Sequence, residues 1–191
     1  MDTLVFDIET KNFFTDPGVG WNNFDALEVS MVCVYSYSKD KYFSFGENEL
    51  AEAAELFDSG SLLVGFSINS YDIPVLNVHF GKLPGTKTDL WSKNRLDLLE
   101  EVEIALGRRI SLDKLSRANL GIGKERKGFE AITLYKNGEI DELKKYCLQD
   151  VRLTKDLYDL YRTKGEFSVP DARTGEISKV NFKNAQSPAL L

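Results

Sequence analysis

Five side chains in this sequence could do hydrolytic chemistry together, and they are spread along the whole chain. Asp7 and Glu9 stand two apart in "LVFDIET", Asp72 follows in "VGFSINSYDIPVL", and Tyr146 and Asp150 stand four apart in "YCLQD". Carboxylates grouped in this way act as general acid and base or hold a cation. Along a strand, alternation puts Val5, Asp7 and Glu9 on one side and Leu4, Phe6 and Ile8 on the other. On a helix, Tyr146 and Asp150 share a face. Asp150 also falls within the apolar stripe of Ile140, Leu143, Cys147, Val151, Leu157, Tyr158 and Tyr161.

Each signal alone has a plainer reading. D-x-E suits the wet face of a half-exposed strand, Asp72 suits a partner for a helix dipole, and Asp150 beside a tyrosine suits a core aspartate paired with an arginine. Together, however, the four acids repel one another, and an inward carboxylate is costly unless paired or bound to a cation. Oxygen ligands favour hard divalent ions such as Mg²⁺ or Mn²⁺. With His79 the only histidine and Cys33 and Cys147 far apart in sequence, a zinc site has little support. The two thiols are expected to be reduced core residues.

Rigid elements must bring these groups together. "LVFDIET" reads as a strand, followed by the turn-rich loop "KNFFTDPGVGWNNFD" and a second strand, "EVSMVCVYSYS"; "KYFSFG" returns antiparallel across Lys39 and Asp40. "NELAEAAELFDSG" predicts a short helix with Asn48 as N-cap and Gly60 as its stop. "SLLVGFS" has the continuous apolar character of a strand buried on both faces, and "YDIPVLNVHFG" predicts a helix with Pro74 in its first turn. "NRLDLLEEVEIALG" suits a strand that continues as a helix, and "SLDKLSRANLG" a helix from Ser111 to Gly121. The loop "GIGKERKG" lacks the spacing of a phosphate-binding P-loop. The longest helix is expected from about Ile140 to Arg162, with two short strands around "DARTGE" and a frayed tail over 183–191. The order β-β-β-α-β-α, then helices, then a hairpin predicts an α/β fold with a mixed sheet flanked by helices.

The 191 residues suit one domain, with a core over about 3–162 and a hairpin over 166–182. A composition 42% apolar and 28% charged is that of a soluble globule. No segment resembles a signal peptide or a membrane span, so the expectation is a cytoplasmic protein without membrane partners. The net charge of -6 argues against a protein that coats nucleic acid non-specifically. Between Arg108 and Lys127, though, seven basic residues face two acids, so a local track containing Lys124 could follow phosphates.

"FDIET", "GFSINSYDIP" and "YCLQD" resemble the three motifs of the Asp-Glu-Asp-Asp superfamily of 3′-to-5′ exonucleases, and Tyr146-x-x-x-Asp150 matches its tyrosine subclass. Over about Thr3 to Arg162 the chain is similar to the exonuclease domains of family B DNA polymerases and to small ribonuclease H-like exonucleases. The resemblance implies a ribonuclease H-like fold and release of nucleoside 5′-monophosphates from a single-stranded 3′ end, with DNA favoured over RNA. It also implies two Mg²⁺ or Mn²⁺ ions: Asp7 would bridge them, Glu9 and Asp150 would complete the nucleophile-side site, and Asp72 would hold the second ion. Tyr146 would orient the attacking water, and Thr10, Ser67, Tyr71 and Lys124 would contact the substrate. The implied setting is a monomer with a replication, repair or helicase partner. Ser67 departs from the pattern, which usually has asparagine two residues after the glycine; Asn69 is close but out of register. Two other readings compete with this one. "DIET" superficially resembles the D-x-D-x-T of haloacid-dehalogenase-type phosphatases, but Glu9 is one methylene too long. A binding or scaffolding module on the same fold would not require four inward acids.

Overall fold

In the computed structural model, residues 2–124, 130–171 and 173–182 are described. Arg126 and Lys127, the end of the loop "GIGKERKG", Ala172 of the "DARTGE" turn and the tail over 183–191 lie outside them.

β1 (Asp2–Thr10) is the middle strand of the main sheet, whose order is β3-β2-β1-β4-β5. It pairs antiparallel with β2 (Val29–Ser36), which pairs antiparallel with β3 (Lys41–Gly46). On its other side β1 pairs parallel with β4 (Gly60–Gly65), and β4 parallel with β5 (Asn94–Asp97). The parallel β1–β4 pair needs a crossover, which β2, β3 and helix α1 (Leu50–Ser59) supply. This is the expected mixed sheet.

Alternation along β1 divides the interior. Leu4, Phe6 and Ile8 enter one cluster with Phe57, Leu63, Leu76 and Phe80, beneath α1 and α2 (Asp72–Gly81). The rings of Phe6 and Phe57 meet edge to face at 4.9 Å. Val5 enters the opposite cluster with Val64, Cys147, Val151 and Leu157, beneath the 25-residue helix α6 (Ile140–Lys164). Side chains of α3 (Leu98–Leu106), α4 (Leu112–Leu120) and α5 (Glu130–Lys136) complete that cluster. The hairpin of β6 (Glu166–Pro170) and β7 (Ile177–Asn181) closes the end of α6, with Phe167 and Phe182 packed on Tyr161.

Several boundaries differ from the sequence expectation. Asn48 does not cap α1: a 3-10 turn over Glu47–Glu49 comes first, the Glu49 carboxylate accepts the Gly46 N–H at 2.8 Å, and the helix starts at Leu50, one residue later than expected. Ile140 is 43% exposed rather than part of the buried stripe, because the helix begins there before it reaches the sheet. α5 had no counterpart in the sequence reading; at seven residues it spans too few turns to show a period, though it buries Ala131, Ile132 and Leu134. The strand-to-helix junction in "NRLDLLEE" falls at Asp97, whose carboxylate accepts the N–H groups of Leu99 and Glu100.

Candidate active site

β1 carries Asp7 and Glu9 on the face that α6 covers, both half-buried, while the alternate residues Leu4, Phe6 and Ile8 hold the strand to the opposite core. The rung opposite Asp7 is Cys33 on β2. Cys147 of α6 reaches down to the same place, where its thiol donates to the Asp7 carbonyl at 3.5 Å. β1 stays in register with β4 only as far as Val5. Past that point its edge is open, and the Ile8 N–H donates instead to Oδ1 of Asp72 at 3.1 Å. Asp72 is thereby fixed at the first residue of α2 with 5% exposure. Gly65 makes this turn possible: a Cβ there would meet the Ile68 side chain at 2.1 Å.

Asp150 comes from α6 and is 3% exposed. Its Oδ1 is buried without a hydrogen-bond partner among the described residues, while its Oδ2 receives Nζ of Lys124 at 2.5 Å. Tyr146, one turn earlier, presents its ring to the same ammonium at 5.6 Å from the centroid. Lys124 therefore lies inside the acid centre rather than only along a phosphate track. The pairing expected for a core aspartate, an arginine, is here a lysine. The loop after α4 aims it: Asp113 accepts the Lys124 N–H at 2.8 Å and the Arg117 Nε at 2.9 Å, and Arg117 donates to the Lys124 carbonyl at 3.2 Å. Gly123 sits against both side chains, with no room for a Cβ.

The electrostatics are those of a crowded set of acids. Burial, then the charges of Asp150, Glu9 and Asp72, push the Asp7 carboxyl well above the usual carboxylate range, against the opposing pull of Lys124. Glu9 is raised by burial and by Asp150, again opposed by Lys124. Asp72 is pushed up to about 7, mainly by burial and despite the bond from Ile8. Asp150 is raised by burial, which Lys124 and, less, the Tyr146 hydroxyl only partly offset. Burial works against the charge on Lys124, but Asp150, Asp7 and Glu9 outweigh it, and the ammonium is held above its ordinary value. Tyr146 is raised by burial and by the same carboxylates, so its phenol stays protonated.

These residues fit a hard divalent cation. Carboxylate oxygens of Asp7 and Glu9 lie within 4.8 Å of each other and of the Cys147 sulfur, which burial keeps protonated and which a hard ion would not use, and Asp72 and Asp150 add carboxylates whose charges act on Asp7. The orphaned Oδ1 of Asp150 is a buried acceptor awaiting a positive partner. His79 is not available to such a site, because its Nε2 is 2.6 Å from the Leu27 carbonyl.

The other expected contacts divide between two sides of the centre. On one side, a cleft of about 520 Å³ opens from Asp7 and is lined by Ser67, Arg108, Arg109, Lys114 and Lys124. Ser67 sits there with φ +72°; its N–H donates to Asp97 at 2.7 Å and its hydroxyl accepts from Arg109 at 3.2 Å. Asn69 is turned away, donating to Glu100 and accepting from Arg95. Arg108 is partly committed to the hairpin through Asp171 at 3.2 Å. On the other side, the Thr10 and Tyr71 hydroxyls are 2.8 Å apart. Burial raises Tyr71 to about 12.

Sequence reasoning missed the positioning roles of Asp113, Gly123 and Asp97. The Asp113 to Arg117 spacing at i, i+4 was the one available signal for the first of these.

Among solved structures, the family B DNA polymerase from the hyperthermophilic archaeon Pyrobaculum calidifontis is similar, with a TM-score of 0.64 and 18% identity. The match covers 84% of this chain and 24% of the polymerase, so the chain spans about a quarter of that protein's length. No curated protein matches it. Among the described residues no helix is long and apolar enough to cross a membrane. A family profile described as the RNase H superfamily matches residues 4–162, over the sheet and the four acids set out above, and the chain belongs to that superfamily.

Proposed function

We propose that this chain is a metal-dependent 3′-to-5′ exonuclease of the tyrosine subclass, hydrolysing phosphodiester bonds of single-stranded nucleic acid, DNA in preference to RNA. One observation carries the reading: four carboxylates from β1, α2 and α6 stand close enough to raise one another's pKa, and among the described residues one ammonium, that of Lys124, opposes the charge of Asp150, Asp7 and Glu9. Asp7, Glu9, Asp72 and Asp150 would hold Mg²⁺ or Mn²⁺. When bound, such ions supply charge stabilisation for the attacking and leaving oxygens of an in-line displacement. Tyr146, kept protonated, orients a water by donating or accepting one hydrogen bond at its hydroxyl. Lys124 holds Asp150 in place and directs positive charge toward the cleft where the phosphates run. Ser67, Arg109 and Lys114 line that cleft, and Thr10 and Tyr71 border the end of β1, where the terminal nucleotide would sit. The polarity and the mononucleotide product rest on the motif resemblance.

The Lys124–Asp150 pair also favours a second reading, a nucleic-acid-binding module whose acid centre is closed by its own lysine. One assay separates the two. Matched DNA and RNA single strands, duplexes and 3′ overhangs are incubated with Mg²⁺ or Mn²⁺, and the products are resolved by size. The exonuclease reading expects a mononucleotide ladder from the 3′ end of single strands that disappears with Asp7→Ala and Asp150→Ala. Internal fragments, or equal activity in the variants, would sink it. Tight strand binding with no Mn²⁺ uptake and no turnover would establish the binding module.

A further inference from the structure

An aromatic ledge stands at the side of the centre opposite the basic cleft, and the acid chemistry does not use it. It begins at Tyr71, whose hydroxyl lies against Thr10, the residue after Glu9. Phe14 meets Tyr71 edge to face at 5.8 Å, Phe24 braces Phe14 edge to face at 5.4 Å, and Trp21 stacks on Phe14 at 5.9 Å with 28° between the rings. Trp21 is 75% exposed, so one face of its indole rests on Phe14 and the other is open. The loop that carries it is stiff. Asn12 ties its two ends by donating to the Ala26 carbonyl at 2.7 Å and accepting the Glu28 N–H at 3.0 Å. Asn23 donates to the Val19 carbonyl at 2.9 Å, and Gly18 and Gly20, at φ +86° and +80°, make the reversal that lifts Trp21 outward. An ordered loop of this kind spends conformational entropy to hold a large apolar ring in water, which a packing role does not explain.

Resting on the exonuclease reading, we infer that the free face of Trp21 is a stacking site for an unpaired nucleobase, so that the strand passes between a wall that takes its phosphates and a wall that takes its bases. A base fits because the open surface is one flat π-face rather than a groove, and stacking of this type tolerates any base. Continuity with Thr10 and Tyr71 places that base a short distance upstream of the terminal nucleotide. The substrate would then need several unpaired nucleotides, since a paired base has both faces occupied.

Binding of a 12-nucleotide DNA single strand, protected by 3′ phosphorothioate linkages and held in Ca²⁺, tests this in the full chain. A series of such strands carries one abasic position, moved one nucleotide at a time from the 3′ end. Trp21→Ala should weaken binding of the intact strand roughly tenfold, while Trp21→Phe keeps most of the affinity. One abasic position should weaken the wild type to the same extent and cost Trp21→Ala nothing more. Trp91→Ala, whose ring already carries Arg95 at 5.0 Å, serves as the control and should change nothing. Wild-type affinity in Trp21→Ala would overturn the ledge and hand that face to a protein partner. An equal loss on every strand regardless of the abasic position would overturn stacking as well. In either case the nuclease reading stands, whereas a wild type that binds no strand would bring down both.

Discussion

Two aspartates, equally hidden, are treated in opposite ways by this fold. Asp97, at the end of β5, is 5% exposed and accepts four backbone N–H groups, those of Ser67, Asn69, Leu99 and Glu100. It stitches the loop after β4 to the first turn of α3, and the carboxylate is fully solvated by protein. Asp150, at 3% exposure, has one lysine, an orphaned oxygen and three acidic neighbours whose charges act on the same space. Burial alone therefore does not mark a functional acid. What separates the two is how many donors reach the carboxylate: among the described residues one oxygen of Asp150 has none, which leaves room for a cation from outside.

Exchanging the two residues' fates would break this comparison. The largest effect is expected on activity: Asp150→Ala and Asp7→Ala should lower strand hydrolysis by on the order of 10³-fold, while circular dichroism shows folded protein. Asp7→Asn should also raise the metal-free melting temperature at pH 8 by at least about 3 °C, because it removes one charge from a repelling set. Asp97→Ala should do the reverse. With four N–H groups left without their acceptor, at about 1 kcal/mol each, it should cost roughly 3 to 4 kcal/mol in urea unfolding. An Asp97→Ala protein of full stability would show that the stitch is dispensable.

The difference between the two acids was only half legible in the sequence. "LVFDIET" showed the D-x-E spacing and "YCLQD" the i, i+4 pair, because period two and period 3.6 are local properties. The mixed sheet was readable from equally local properties: alternation in β1, the β-branched and aromatic content of β2 and the unbroken apolar run of β4. Asp97 gave no such signal, since its partners Ser67 and Asn69 are some thirty residues away and meet it only after β4 and β5 pair. Lys124 was visible as one of several basic residues, but its position inside the centre depends on Asp113 and Gly123 folding the loop back. The helix α5 was too short to declare itself.

A smaller effect concerns pH, and its sign follows from Asp72. Its carboxyl titrates near 3.8 in the unfolded chain and is pushed up to about 7 in the folded one. Between about pH 4 and pH 7 the unfolded state thus holds fewer protons, so stability falls as pH rises through that window and is lowest above it. Asp7, Glu9 and Asp150 are shifted in the same direction and add to the slope. Metal-free protein should melt at least about 5 °C higher at pH 5 than at pH 8, and Mn²⁺ should close the gap at pH 8 by favouring the ionised centre. Asp72→Asn should flatten part of the slope. A melting temperature that climbs from pH 5 to pH 8 without metal would mean the acids are better paired than their neighbours allow.

The smallest effect sharpens the comparison at the residue that joins its two halves. Ser67 donates its N–H to the structural acid Asp97 and accepts at its hydroxyl from Arg109 on the wall of the cleft, and it does so with φ +72°. That left-handed backbone suits asparagine better than serine, because a short amide side chain tolerates it at lower cost. Ser67→Asn restores the residue usual in the resembled motif, leaves the Asp97 bond to the main chain untouched, and offers Arg109 an amide oxygen in place of the hydroxyl. Stability should therefore change by less than about 1 kcal/mol, while KM for a single strand changes a few-fold and kcat does not. Ser67→Ala keeps the backbone bond, leaves Arg109 with Glu103 alone at 3.0 Å and costs about 1 kcal/mol more than asparagine in the left-handed backbone, so the two variants should differ in stability by no more than that and differ in KM. If alanine costs well beyond that while KM stays the same, the serine hydroxyl belongs to the loop's own scaffold, through Ser70 at 3.0 Å, rather than to the cleft.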